Sequence, residues 1–115
     1  MNLKDIKQPT NLDECLEILP IIISPEGCKE FAVMKEEEVN AVAHHGLGRM
    51  LRNDWKLWQV GSIMYEWFAE KGITHADDMS GIIITSWHRQ LNNLPIKLED
   101  QIKFYQDYWK QHELE

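Results

Sequence analysis

The chain has no apolar run approaching the roughly 18 residues that span a bilayer. Its longest runs, Ile18 to Ile23 and Gly81 to Ile84, are short, and Pro20 interrupts the first. Met1 to Gln8 carries Lys4, Asp5 and Lys7 with no apolar core, so no signal peptide is read and a cytoplasmic location is the expectation. Cysteine is scarce. Cys15 and Cys28 are too few for a disulfide framework and are expected as free thiols, although a bridge across a helical hairpin stays open on geometry. Positive charge is scarce too: 12 Lys and Arg stand against 19 Asp and Glu, a net charge of −7, with both halves of the chain acidic. That balance speaks against general nucleic-acid binding through phosphates. It favours solubility and leaves room for a basic partner.

Catalytic signatures are missing as well. No G-x-S-x-G elbow surrounds Ser80 or Ser86, and no glycine-rich phosphate loop follows a strand. His75, Asp77 and Asp78 lack the H-x-x-x-H or E-x-x-H spacing of a helical metal site. No catalytic residue, metal or cofactor is therefore expected.

What the chain does contain is helical punctuation. Thr10 and Asp13 resemble a capping box, and Leu12, Cys15, Leu16 and Leu19 follow at helical spacing until Pro20, which should stop or kink the helix. Ser24-Pro25-Glu26 combines an N-cap, a proline at the first helical position and an acid in the first turn. Glu36 to Glu38 opens a third helix, whose apolar face is Val39, Val42, Ala43, Leu47, Met50 and Leu51. Val60, Ile63, Met64, Trp67 and Phe68 form the stripe of a fourth, stopped by Gly72. Thr74 and Asp77 repeat the capping-box pattern before Met79, Ile82, Ile83, Trp87 and Leu91; the strand-like run Ile82 to Thr85 is outweighed by the wider period. A last helix aligns Ile102, Tyr105 and Trp109, with Phe104 and Tyr108 beside them. The spacing thus predicts helices near 11–19, 25–33, 36–53, 58–71, 75–91 and 98–111. The fold class expected is all-α, a compact bundle of five to six short helices in a single domain over 1–115, a length that suits one core.

One stretch, His44 to Trp58, holds two histidines, two glycines, two arginines and two tryptophans. Glycine costs about 1 kcal/mol against alanine inside a helix, so Gly46 and Gly48 call for a reason. At about 100° per residue His44, Gly48 and Arg52 fall in line at the border of the apolar face, where a bare backbone admits a close neighbour or a ligand. His45 and Arg49 lie opposite the core. Trp55 and Trp58 flank the following turn, and core packing is expected for at least one of them; a tryptophan beside an arginine is also a frequent binding hot spot.

These residues resemble an uncharacterised bacterial and phage-associated family of unknown function. The likeness covers about 10–91 and rests on Asn11-Leu12-Asp13-Glu14-Cys15-Leu16, on His44, Gly46-Leu47-Gly48, Arg52-Asn53 and Leu57-Trp58, and on Gly72-Ile73, His75, Asp77-Asp78-Met79-Ser80, Ile82 to Ile84 and Trp87. Ala76 stands where that pattern often has proline. The resemblance implies a shared helical fold and brings no activity with it. It suggests that His44, Arg52 and Asn53 meet the segment His75 to Ser80, with Asp77 or Asp78 answering the arginine. Such a cluster either fixes a helix packing or lines a pocket for an anion or a carboxylate.

The binding candidates are therefore His44, Gly48, Arg52, Asn53, Trp55, Trp58, His75, Asp77 and Asp78. The function expected is that of an interaction module with a protein partner, in a phage–host or toxin–immunity setting. The alternative is a small-ligand-binding or enzymatic domain using His44, Arg52, His75 and Asp78. A third option is self-association through the aromatic C-terminal helix.

Overall fold

In a computed structural model, which describes residues 7–113, the chain is helical throughout its regular structure. Helix α1 is Leu12–Ile22, α2 Pro25–Ala32 and α3 Glu36–Ala43. A π-helical turn, His44–Gly48, joins α3 without a break to α4, Arg49–Asp54. Then come α5, Ile63–Ala69, α6, Ala76–Leu91, and α7, Leu98–Glu113. Counting α3, the π turn and α4 as one rod, six helical rods make up the described residues, which contain no strand.

The core is built around α6. Met79 to Ile84 and Ser86 to His88 are all buried, so this helix is covered on nearly every side, as a helix at the centre of a bundle must be. The α3–α4 rod, α1, α2 and α7 all pack on it. Trp87 stacks on Phe31 with ring centroids 4.7 Å apart, and the His88 ring meets Phe31 edge-on at 5.4 Å. His88 Nε2 lies 2.7 Å from the Met34 carbonyl, which only accepts, so that ring nitrogen carries the hydrogen and donates. These contacts fix the short helix α2 to the central one.

The helix ends follow cap chemistry, with two corrections. At α1 the cap is Asn11, not Thr10: its side chain accepts from the Glu14 amide at 2.9 Å, and Glu14 in turn accepts from the Thr10 amide. The box is shifted by one residue because asparagine is at least as good a cap as threonine. Pro20 does not stop α1, which runs on to Ile22. Proline sits in the last turn, where one ladder bond is lost, and the buried Leu19 and the packed Ile22 and Ile23 outweigh that loss. At α2, Ser24 caps and accepts from Gly27 as expected.

Two further expectations fail around α5 and α6. The fourth helix is not 58–71 but Ile63–Ala69. Lys56 and Gly61 take positive φ, 52° and 94°, which no helix accommodates. Val60 and Ile63 are consequently exposed, while Leu57, in the turn, is buried. The end of α5 is as expected: Gly72 has φ 84°, its amide bonds the Ala69 carbonyl, and the Ile73 amide bonds Phe68, a Schellman close over a buried Phe68–Ile73 pair. The capping box at Thr74 does not form; His75 occupies the N-cap of α6 without a side-chain cap bond.

The glycine-rich motif lies in the π turn. At about 100° per residue, Val39 and Leu51 would stand roughly 120° apart; a π turn absorbs about one extra residue and brings them within roughly 20°. Both are fully buried against the core, whereas Val42, which the spacing placed on the apolar face, stands about 60° round the helix from Val39 and is exposed. The two glycines are not equivalent. A Cβ on Gly46 would meet open space, but one on Gly48 would lie 2.9 Å from the Arg52 Nη1 and 3.2 Å from the Ala43 carbonyl, with Ile84 of α6 just beyond.

Both cysteines are free thiols, so no bridge joins the α1–α2 pair. Cys15 is buried beside Met64, and burial pushes its thiol well above the ordinary range, while Cys28 is half-buried. One equivalent of iodoacetamide is therefore expected to enter the native protein, at Cys28, with Cys15 reacting only on unfolding. Peptide mapping checks this; equal native labelling of both would contradict the packing of α1.

Candidate functional site

Arg52 projects from α4 toward the start of α6. Its Nη2 donates to the His44 carbonyl at 2.8 Å and its Nη1 to Ser80 Oγ at 3.1 Å; Ser80 Oγ donates onward to the Asp77 carbonyl at 3.0 Å. Its Nε lies 3.5 Å from Asp77 Oδ1. The arginine side chain is 14% exposed and the aspartate 71%, so the carboxylate is a loose outer partner and the two hydrogen bonds do most of the holding. Gly48 makes this possible, since any side chain there would collide with the guanidinium. The cavity beside it, about 60 Å³, is lined by Asn40, His44, Arg52, Ser80 and Tyr105 among others, and has room for a few waters rather than an organic substrate.

A second assembly lies on the other side of Asp77. His75 stacks on Trp109 of α7, centroids 4.0 Å apart and planes 15° from parallel. Trp109 Nε1 donates to Asp78 Oδ2 at 2.7 Å. Burial raises the Asp78 carboxyl above its ordinary range, against the pull of the indole bond and of His75. Asp77, Asp78, His75, Tyr105, Tyr108 and Trp109, with Phe104, line an open cleft of about 420 Å³. Beyond the His75–Trp109 wall, a smaller cleft of about 240 Å³ runs past Gly72, Gln106 and Lys110. Along α7, Phe104, Tyr108 and Trp109 are 65%, 46% and 37% exposed.

The nine sequence candidates thus divide. His44, Gly48, Arg52 and Asp77 belong to the packed polar cluster, and His75 and Asp78 to the aromatic cleft, which Asp77 also borders. Arg52 meets Asp77, not Asp78. Asn53 is exposed, and its side chain makes no hydrogen bond among the described residues, so it does not join the cluster with Arg52. Trp55 is a core residue and Trp58 is exposed in the turn; the turn is not helical, so the two do not share a direction. No group of three or more potential metal ligands exists among the described residues, and no helix among them is long and apolar enough to cross a membrane. The sequence aligns Tyr105 and Trp109 on the aromatic C-terminal helix, a candidate face for self-association, but does not join either to His75 or Asp78. Helical periodicity reports which face of α7 is apolar, not that the indole reaches His75 and Asp78 on α6.

Tyr105 is the hinge between the two assemblies. It borders both cavities, and its hydroxyl stands where a Cβ on Gly81 would be, at 2.6 Å. Burial pushes its phenol up, and the Asp78 charge adds to the effect. Helix propensity alone would make Gly81→Ala stabilising by about 1 kcal/mol. The close contact is expected to reverse the sign, because at 2.6 Å from a Cβ the Tyr105 hydroxyl would have to give way. Gly81→Ala is expected to lower the melting temperature, and Tyr105→Phe in the same chain to restore it. Thermal unfolding of the two singles and the double decides this; a stabilising Gly81→Ala would mean that α7 does not dock on α6 as described.

A family model described as a domain of unknown function, DUF6794, matches residues 8–91, which hold α1 to α6. No curated protein and no solved structure matches the chain.

Proposed function

The chain belongs to the DUF6794 family, and from that premise we propose that it is a non-enzymatic interaction module that docks a protein partner on the aromatic face of α7 and the cleft beside His75. The observation that carries this reading is the exposure of Phe104, Tyr108 and Trp109 on one helix, at the mouth of a cleft of about 420 Å³. Tyrosine and tryptophan concentrate binding energy at interfaces, and clustered exposed aromatics on a small protein mark such a surface. The acidic charge of the whole chain favours a basic partner and faster encounter with it. His44, Arg52, His75 and Asp78, the residues of the ligand-binding alternative, line two different cavities, and Arg52 is engaged by His44 and Ser80. A phage–host or toxin–immunity setting suits a small acidic binder of this kind, and the neighbouring genes would bear on it.

The test is capture from the native host with the full chain as bait, beside a Phe104→Ser, Tyr108→Ser double variant. Both side chains are exposed, so the variant is expected to melt within about 1 kcal/mol of the parent. A stoichiometric protein partner held by the parent and lost by the variant is the expected result. A partner held equally by both, or none in repeated capture, overturns the reading. Sedimentation of the chain alone shows whether the partner is a second copy.

A further inference from the structure

We propose that the cleft between the start of α6 and α7 receives an arginine side chain of the partner, an assignment that rests on the docking reading above and gives that partner its chemistry. The lining contains two carboxylates, Asp77 and Asp78, the rings of Phe104, Tyr105, Tyr108 and Trp109, and the His75 imidazole, which is stacked on Trp109, with neither lysine nor arginine among the residues that form it. Arg52 meets Asp77 from behind, at 3.5 Å, and Lys110 borders the smaller cleft beyond the Trp109 wall. Asp78 spends one oxygen on the Trp109 indole; its other oxygen has no hydrogen-bond partner among the described residues. A half-buried carboxylate at the wall of an open cleft is a group that a cation would relieve.

Arginine fits better than lysine for three reasons. Tyr108 and Trp109 stand at 88° with centroids 5.3 Å apart; His75 covers one face of Trp109 and His112 lies against Tyr108 at 4.2 Å, and the exposed remainder of the two rings borders the cleft for a flat group. A guanidinium stacks on such faces and donates in a fork to carboxylates at the same time. An ammonium is more strongly hydrated and would give up more on entering a cleft walled by rings.

The Trp109 indole N–H, bonded to Asp78, is the reporter. In two-dimensional nitrogen–proton spectra, Trp109→Phe identifies its signal among the five tryptophans of the chain. The probes are N-acetyl-arginine methylamide, its lysine counterpart, and the citrulline counterpart, which keeps the shape of arginine without the charge. The arginine probe is expected to move the Trp109 signal saturably, the citrulline probe to bind about tenfold more weakly, and lysine to fall between. Asp78→Asn keeps an oxygen to accept from the indole, and Asp77→Asn spares the indole bond altogether; each should weaken the arginine response several-fold with the fold intact. Equal responses to arginine and citrulline, a silent Trp109, or aspartate variants that bind unchanged would overturn the assignment. Partner capture that persists while the arginine response fails removes this pocket and leaves the docking surface. An arginine response without any partner removes the docking reading alone.

Discussion

Replacing Trp87 by alanine is expected to remove about 3–5 kcal/mol of folding free energy, the largest effect of any single substitution considered. The side chain is buried on the central helix and stacked on Phe31, so the truncation opens a cavity where α2 and α6 meet. A domain of this size holds only about 5–15 kcal/mol in all, so the variant would sit near its unfolding threshold. Trp87→Phe should cost much less. The indole N–H is buried without a hydrogen-bond partner among the described residues, and phenylalanine removes that donor while keeping a ring to stack on Phe31. Urea unfolding of the two variants checks both values. A loss under about 1 kcal/mol for alanine would show that α2 is not held through this stack.

Arg52→Ala is expected to cost about 1–3 kcal/mol, because it strips the His44 carbonyl and the Ser80 hydroxyl of their guanidinium donor in a half-closed environment. Arg52→Lys should recover little of that, since a single ammonium cannot span two acceptors as the planar fork does. Partner binding is expected to survive both changes after correction for the unfolded fraction. Unfolding titrations and capture of the same partner measure the two effects separately. Stability unchanged with binding lost would move the binding site to the π turn.

The legible parts of this molecule are those set by neighbours in sequence. Ser24-Pro25-Glu26 starts α2 where its cap chemistry says it should, and Met79, Ile82, Ile83 and Trp87 are core residues of the central helix. The Gly72 close on α5 was equally local. The misreadings come where a distant contact or an unusual backbone decides. Leu51 comes under Val39 through the π turn, an event that a fixed 100° period does not represent, and Val42, about 60° round α3 from Val39, lies at the exposed edge of that face. Leu57 reaches the core from a non-helical turn whose break at Lys56 has no composition signal, though Gly61 offered one. The polar cluster was partly visible, since Arg52 and the acids of α6 suggested each other and Gly48 marked the close approach. The aromatic cleft was not, because Trp109 meets His75 and Asp78 only through tertiary packing.

Recognition is proposed to belong to α7 and the cleft at His75, and the Arg52 cluster to fix the fold. This division is tested most directly by mapping amide and indole signals of the labelled chain as its captured partner is added. The perturbed signals are expected to gather on Phe104, Tyr108, the Trp109 indole and His75 to Asp78, with His45, Arg49 and Trp58 unmoved. Perturbations gathered on the π turn or on the Trp58 turn, with the α7 face silent, would contradict it.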